Sequence, residues 1–347
     1  MSSMSNMSSE STEPGFIARR RGALVLAAKV VVGAALLALL LRQIGWQEVK
    51  TLLARTDLAQ FALACCWLAL SLAAQSVRWM AVMAGLEAPI TPRTAFVGTF
   101  ESMLFNQVLP SSVGGDAWRA LRAYDAGLTP QGAVVGVLID RAFGLLSVGL
   151  VALVGWTVGG TPVASTPAFL AVAVAATCIV GGAGIAVIIA PHVSRASVPA
   201  WAGWTVALVH GFASIMRMRR PLLLLAASMV SFTLLSGLAL KASAAALGIP
   251  LDLWSAMVAL QGMLLASVIP VSIGGWGLRE GAAVLLLAGA GLGAAEATAI
   301  AILFGLAATV MGIAGAGVWM LNGYKRVDPA KGLAALRPGG RDPKSRP

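Results

Sequence analysis

The sequence predicts an all-α polytopic membrane protein, with six full transmembrane helices and two re-entrant broken-helix hairpins in an inverted repeat. Three observations carry that expectation. Residues of the AVILMFWYC set make up 58% of the 347 positions and charged residues only 11%, whereas a soluble domain is typically about 25% charged because polar surface must meet water. Six apolar runs, at about 22–41, 58–86, 130–158, 168–191, 222–247 and 294–321, are each long enough to cross hydrocarbon. One motif, P-x-S-x-G-G-x-x-x-R, occurs twice, at 110–119 and 270–279. This composition excludes a soluble enzyme, a disordered protein and a disulfide scaffold.

Residues 1–18 are rich in Ser and Met and read as a disordered tail. Arg19, Arg20 and Arg21 then precede the first apolar run, as in a signal peptide. That run is longer than a typical signal core, and Arg42 and Gln43 follow it instead of a small-residue cleavage site, so it is expected to stay as the first span. The transmembrane domain then covers 19–322, followed by a basic tail at 323–347.

Two regions behave differently from the spans. Residues 95–109 are apolar but short and end at Pro110; a polar, helix-like stretch follows from Asp116 to Gly127. Residues 253–269 are interrupted at Pro270 and resume at 278–292. Irregular backbone at membrane depth is tolerated only when it is buried in protein or lines a wet cavity. The two segments are copies: 104–120 aligns with 264–280, with seven identities, namely Leu104/Leu264, Val108/Val268, Pro110/Pro270, Ser112/Ser272, Gly114/Gly274, Gly115/Gly275 and Arg119/Arg279. The order span, broken segment, span at 58–158 recurs at 222–321. The single span 168–191 between them turns the second copy upside down. Paired Gly/Pro-broken segments in corresponding positions are the sequence pointer to a transporter's central site.

The net charge of +11 sits in short loops and tails. The segment 192–221 carries Arg195, Arg217, Arg219 and Arg220 with no acid, and the residues after Leu321 carry seven basic groups against two acids. The positive-inside rule therefore puts both termini in the cytoplasm. The uncharged loop 159–167 is outside, while Arg42, Lys50 and Arg55 in the outer loop 42–57 oppose this orientation. No nucleic-acid motif accompanies the charge, so the expected partners are the bilayer and its anionic lipid, with no nucleic acid. Cys65, Cys66 and Cys178 lack CxxC spacing, and His192 and His210 complete no ligand set, so no metal and no cofactor is expected. The cysteines read as small buried apolar side chains.

In each copy Pro removes a helix donor, the Gly pair permits close backbone approach, and a new helix is expected near Asp116 and Leu278. Its free N–H groups and dipole favour an anion, and Arg119 and Arg279 are placed to fork onto a phosphate or carboxylate. The competing reading is a tight turn in which each Arg pairs with a neighbouring acid, Asp116 or Glu280. The doubling of the motif favours a site. Lys29, Arg78, Glu101, Asp140, Arg141 and Lys241 also lie in apolar runs, where charge is costly and finds a partner or a cavity. Lys29, Arg78 and Lys241 are near span ends and are expected to snorkel. Glu101 is the expected partner of Arg141, and an Arg of a broken segment that of Asp140; a purely structural ion-pair network is an equal alternative. Gly155 and Gly159 read as helix packing.

The stretches N-Q-V-L-P-S-S-V-G-G-D-A-W-R-A (106–120), L-I-D-R-A-F-G-L (138–145) and I-P-V-S-I-G-G-W-G-L-R-E-G (269–281) resemble the flippase-like membrane family related to the transmembrane region of lysylphosphatidylglycerol synthetase. The resemblance spans roughly 20–322. It implies a multi-pass protein of the bacterial inner membrane that translocates, or depends on, a charged lipid such as an aminoacyl-phospholipid, a polyprenyl-phosphate-linked sugar or a hopanoid-type lipid. The positions it marks are Asn106, Pro110, Gly114, Gly115, Asp116, Arg119, Asp140, Arg141, Pro270, Ser272, Gly274, Gly275, Gly277, Arg279 and Glu280; the repeat adds Ser112. No soluble aminoacyl-transferase domain follows Leu321 in this chain, so aminoacyl transfer is not expected of it.

The expected function is thus a lipid flippase or transporter, not an enzyme, acting on an anionic or zwitterionic lipid. Two alternatives stand beside it. One is a membrane-embedded lipid-modifying enzyme, with Asp116, Asp140 and Glu280 as acid/base groups. The other is a membrane subunit that recruits a separate lipid synthase through the 192–221 segment and the tail. A homo-oligomer and a synthase partner are both left open.

Overall fold

The computed structural model describes residues 31–32, 34–35, 37–108, 113–158, 166–192, 203–268 and 275–322. All regular elements among them are helical. Residues 37–44 form a helix that leads into α1 (Trp46–Ala54). The chain continues through α2 (Leu58–Gly85), α3 (Pro92–Val108), α4 (Val113–Asp125), α5 (Pro130–Val158) and α6 (Pro167–Ile189). It then forms α7 (Gly203–Arg217), α8 (Arg219–Ala245), α9 (Leu253–Val268), α10 (Leu278–Leu287) and α11 (Ala294–Leu321). Among the described residues, five helices are long and apolar enough to cross a membrane: α2, α5, α6, α8 and α11. The first expected span, 22–41, lies largely outside the described residues, as do the tails.

Local chemistry sets the helix boundaries. The Asp57 carboxylate accepts from the N–H groups of Ala59 (2.8 Å) and Gln60 (3.3 Å) at the start of α2. Thr166 does the same for α6 through Phe169 N–H (3.1 Å), and Asp252 for α9 through Ser255 N–H (2.9 Å). These side chains satisfy donors that a helix start leaves without partners. Pro92, Pro130 and Pro167 open α3, α5 and α6, where the missing N–H costs nothing.

The helices of 58–158 and 219–321 pack as two interchangeable sets. Exchanging α2, α3, α4 and α5 for α8, α9, α10 and α11 maps the principal contacts among these eight helices onto themselves. Thus α3 lies on α11 as α9 lies on α5, and α4 lies on α5 as α10 lies on α11. The helices α2 and α8, which exchange with each other, pack together. They run antiparallel: Asp57 N–H, at the start of α2, donates to the Ala246 carbonyl at the end of α8 (2.8 Å). At the other end Ala81 and Val82 share a core cluster with Leu225 and Met229.

Burial grades from centre to rim. Helix α11 is largely buried, whereas α6 is largely exposed. Leu170, Val174, Ile185 and Ile188 of α6 point outward, as expected of a helix whose outer face meets lipid. The cysteines correct the sequence expectation: Cys66 of α2 and Cys178 of α6 are exposed, and Cys65 is only half-buried, packed against the core. Two segments read as loops contain helices, α1 within 42–57 and α7 within 192–221. Gly159 of the expected packing pair lies outside the described residues.

Candidate functional site

The first broken segment carries a connected set of buried charges. Helix α4 presents Asp116, Arg119 and Arg122 at i, i+3 spacing, so the three share a face. Arg119 donates through Nη1 to Asp140 Oδ2 of α5 and through Nη2 to Asp116 Oδ1, both at 2.6 Å. Asp140 also accepts from Arg78 of α2, from Nε at 2.8 Å and Nη2 at 3.4 Å. Asp116 accepts in turn from Arg141 Nε. The chain Arg78, Asp140, Arg119, Asp116, Arg141 therefore ties α2, α4 and α5 together. The side chains of Asp140 and Arg119 are 0% and 1% exposed, while Asp116 and Arg141, at 17% and 33%, form an accessible rim.

A second cluster fixes α4 against α3. Glu101, fully buried, accepts from Arg122 Nε (2.7 Å) and Nη2 (2.5 Å) and from Trp118 Nε1 (2.7 Å). The Trp118 ring stacks on Phe105, with centroids 4.2 Å apart. Asn106 Oδ1 accepts from Gly115 N–H at 3.0 Å. A Cβ at Gly115 would overlap this amide and the Ser102 carbonyl, so the second glycine of the motif is where α4 closes onto α3.

The second broken segment holds a smaller arrangement. Arg279 donates from Nε (3.0 Å) and Nη2 (2.6 Å) to Glu280 Oε1, and its guanidinium lies over the Trp276 ring at 4.8 Å. Glu280 Oε2 accepts from Gly277 N–H at 2.6 Å, closing the start of α10. Gly275 and Gly277 have φ of +78° and +90°, a backbone that only glycine adopts without strain. Both acidic and basic members are buried.

Several sequence expectations are thereby placed. Asp140 is held by Arg119, the arginine of a broken segment, as expected. Each motif arginine is paired with its neighbouring acid, Asp116 or Glu280. Other pairings differ. Glu101 takes Arg122, not Arg141, because Arg122 shares the inward face of α4, and Arg141 takes Asp116. Arg78 does not snorkel: α2 is 28 residues long, so its position seven residues from the end still lies deep, and Arg78 is 4% exposed. Lys241 is exposed, and Lys29 lies outside the described residues. Helix α4 begins at Val113, three residues before the expected start, so Gly114 and Gly115 form part of its first turn. Pro110, Ser112, Pro270, Ser272 and Gly274 lie outside the described residues.

The sequence reading missed Arg78 and Arg122 as members of the network. The length of the run around Arg78 and the i, i+3 step from Arg119 to Arg122 are the signals that mark them. Among the described residues no three His, Cys, Asp or Glu side chains cluster as metal ligands. A separate cleft of about 270 Å³, lined by residues such as Pro191, His210, Ser214 and Arg217, shares no residue with the network.

No curated protein matches the chain. Residues 26–316 match the family described as the lysylphosphatidylglycerol synthase TM region, and the match takes in both exchangeable sets except the last five residues of α11. With most of its length inside that match, this multi-pass membrane protein belongs to the lysylphosphatidylglycerol synthase transmembrane-region family.

Proposed function

We propose that this chain is a transporter that moves a charged-headgroup lipid between the two leaflets of the inner membrane, without altering the lipid chemically. The observation that carries the reading is the exchange of the two helix sets across the antiparallel pair α2 and α8. With one span, α6, between the sets, that exchange sends the α3/α4 hairpin in from one face and the α9/α10 hairpin in from the other. Each hairpin places a buried arginine in its second helix, Arg119 midway along α4 and Arg279 at the start of α10. Isolated charge is expensive in hydrocarbon, so a headgroup crosses only where fixed charges replace its water. The acyl chains stay in lipid throughout.

Both termini lie in the cytoplasm in this reading, and the basic turn between α7 and α8 faces the same side. Exposed Arg217, Arg219 and Arg220 there support a second role, docking of a separate lipid synthase that supplies the cargo.

Purified protein in phosphatidylcholine vesicles with acyl-labelled phosphatidylglycerol tests the proposal. The expected result is label reaching the opposite leaflet faster than in empty vesicles, with the lipid recovered intact. Movement no faster than in empty vesicles, or recovery of a modified lipid, overturns it.

A further inference from the structure

We infer that Arg119 is the exchangeable ligand of the site, leaving Asp116 and Asp140 for the phosphodiester of a lipid headgroup while Arg141 and Arg78 stay behind to hold those carboxylates. The inference rests on the lipid-moving reading and narrows it to a phosphate-bearing headgroup and to one arginine.

The hydrogen bonds set out the exchange. Arg119 bridges two carboxylates, and each of them has a guanidinium of its own: Arg78 on Asp140 and Arg141 on Asp116. If Arg119 departs, two complete one-to-one pairs remain. If Arg78 or Arg141 departs, Arg119 is left shared between both acids. The other motif arginine is built differently. Arg279 and Glu280 form a closed pair, and without Arg279 the only partner shown for the buried Glu280 is the neutral Gly277 N–H. Likewise, without Arg122 the partner left to Glu101 is the neutral indole N–H of Trp118. A buried carboxylate without a counter-charge is costly, so of Arg119, Arg122 and Arg279 it is Arg119 that moves at the least expense.

Two further features suit an anion at this place. Asp116 and Arg141 make the accessible rim, with Arg119 directly behind it. Beneath the Arg119 guanidinium, at 5.4 Å, lies the ring of Trp79, a fully buried residue whose Nε1–H has no acceptor among the described residues. A spare donor beside a movable guanidinium fits a phosphate, which offers only acceptors. Arg78 and Arg141 are then positioning residues, acting on the ligand through Arg119.

The test is transport of acyl-labelled phosphatidylglycerol by the full chain in phosphatidylcholine vesicles. Arg119→Gln keeps both acids paired, stays folded and loses transport; Arg119→Lys, a point charge without the fork, recovers it only in part. Arg78→Gln leaves Asp140 dependent on Arg119, which locks the exchange and slows transport by about 100-fold. In Arg78→Gln/Asp140→Asn no charge is orphaned when Arg119 leaves, so transport returns to within about tenfold of the wild type. A purely structural role for Arg78 predicts no such return. Wild-type rates in Arg78→Gln, or a double variant no faster than the single, overturn the exchange while leaving lipid transport standing. Absence of transport by the wild type overturns the lipid reading itself. Arg119-dependent efflux of trapped inorganic phosphate, without lipid movement, reassigns the site from a lipid phosphate to the free ion and overturns the lipid assignment.

Discussion

Gly305 of α11 lies directly against the Arg279 guanidinium, so close that a Cβ there would overlap Nη2. The glycine is the seat of the second buried arginine, and α11 approaches α10 closely because of it. Gly305→Ala must therefore push Arg279 off Glu280 or separate the helices. A loss of about 1–3 kcal/mol is expected from such overpacking, read as a lower unfolding midpoint in detergent. Gly317, on the same helix, has nothing within 4 Å of a built Cβ. Gly317→Ala is expected to gain about 0.5–1 kcal/mol, the helix-interior difference between the two residues. Equal effects at the two sites would remove the assigned seat.

Asp140 is held by two guanidiniums and is fully buried. Asp140→Asn leaves Arg119 its second acid, Asp116, but leaves Arg78 buried without a counter-charge, at an expected cost of about 3–5 kcal/mol. Arg141→Gln also removes one member of an ion pair, but Arg141 is one-third exposed. Its loss is expected to cost under about 1 kcal/mol, because solvent screens the pair. Unfolding midpoints of the two variants, measured in the same detergent, check the order.

The long spans were legible because an uninterrupted run of about 20 apolar residues matches the thickness of the hydrocarbon layer and exceeds what most buried core helices need; α11 occupies the same residues, 294–321, as its run. The two pairs of shorter helices, α3/α4 and α9/α10, were legible because one ten-residue motif is written twice. Partner choice within the site was not. It depends on which way α4 faces, and a start at Val113 instead of Asp116 turns the helix by most of a turn. Arg78 was obscured by a span longer than a membrane needs, which hides depth behind sequence distance from the end. Helix α7 was read as a loop because its apolar stretch is short and is interrupted by His210 and Ser214, although Val206, Phe212, Ala213 and Ile215 are buried.

Asp252, in the loop before α9, links stability to pH. Burial works to raise its carboxyl, but hydrogen bonds from the first residues of α9, Ser255 foremost, outweigh it and hold the group below the ordinary carboxylate range. A depressed folded value contributes stability that is present above the unfolded value, about 3.9, and is lost as pH falls through the folded one. Wild type and Asp252→Ala are therefore expected to differ by about 1 kcal/mol near neutral pH. The gap closes in acid below the unfolded value. Unfolding midpoints across that range check it, and a gap that widens in acid has the wrong sign.

Glu101 receives three donors within 2.7 Å, two from Arg122 and one from Trp118, with no exposure to solvent. Glu101→Gln removes the charge and turns an amide donor toward groups that only donate. An expected loss of about 3 kcal/mol follows, the low end of the cost of an uncompensated buried charge, because Arg122 keeps partial exposure. The aromatic cluster reports where it falls: Trp118 stacks on Phe105 and meets Trp319 edge-on at 6.4 Å, so its emission should shift to the red as α4 lifts from α3. Replacing both partners, in Glu101→Leu/Arg122→Met, leaves no buried charge and is expected to restore most of the midpoint. The double variant should also keep Arg119 in place, because Asp140 and Asp116 still hold it. A double variant as unstable as the single would mean that α4 is held by something other than the balance of these two charges.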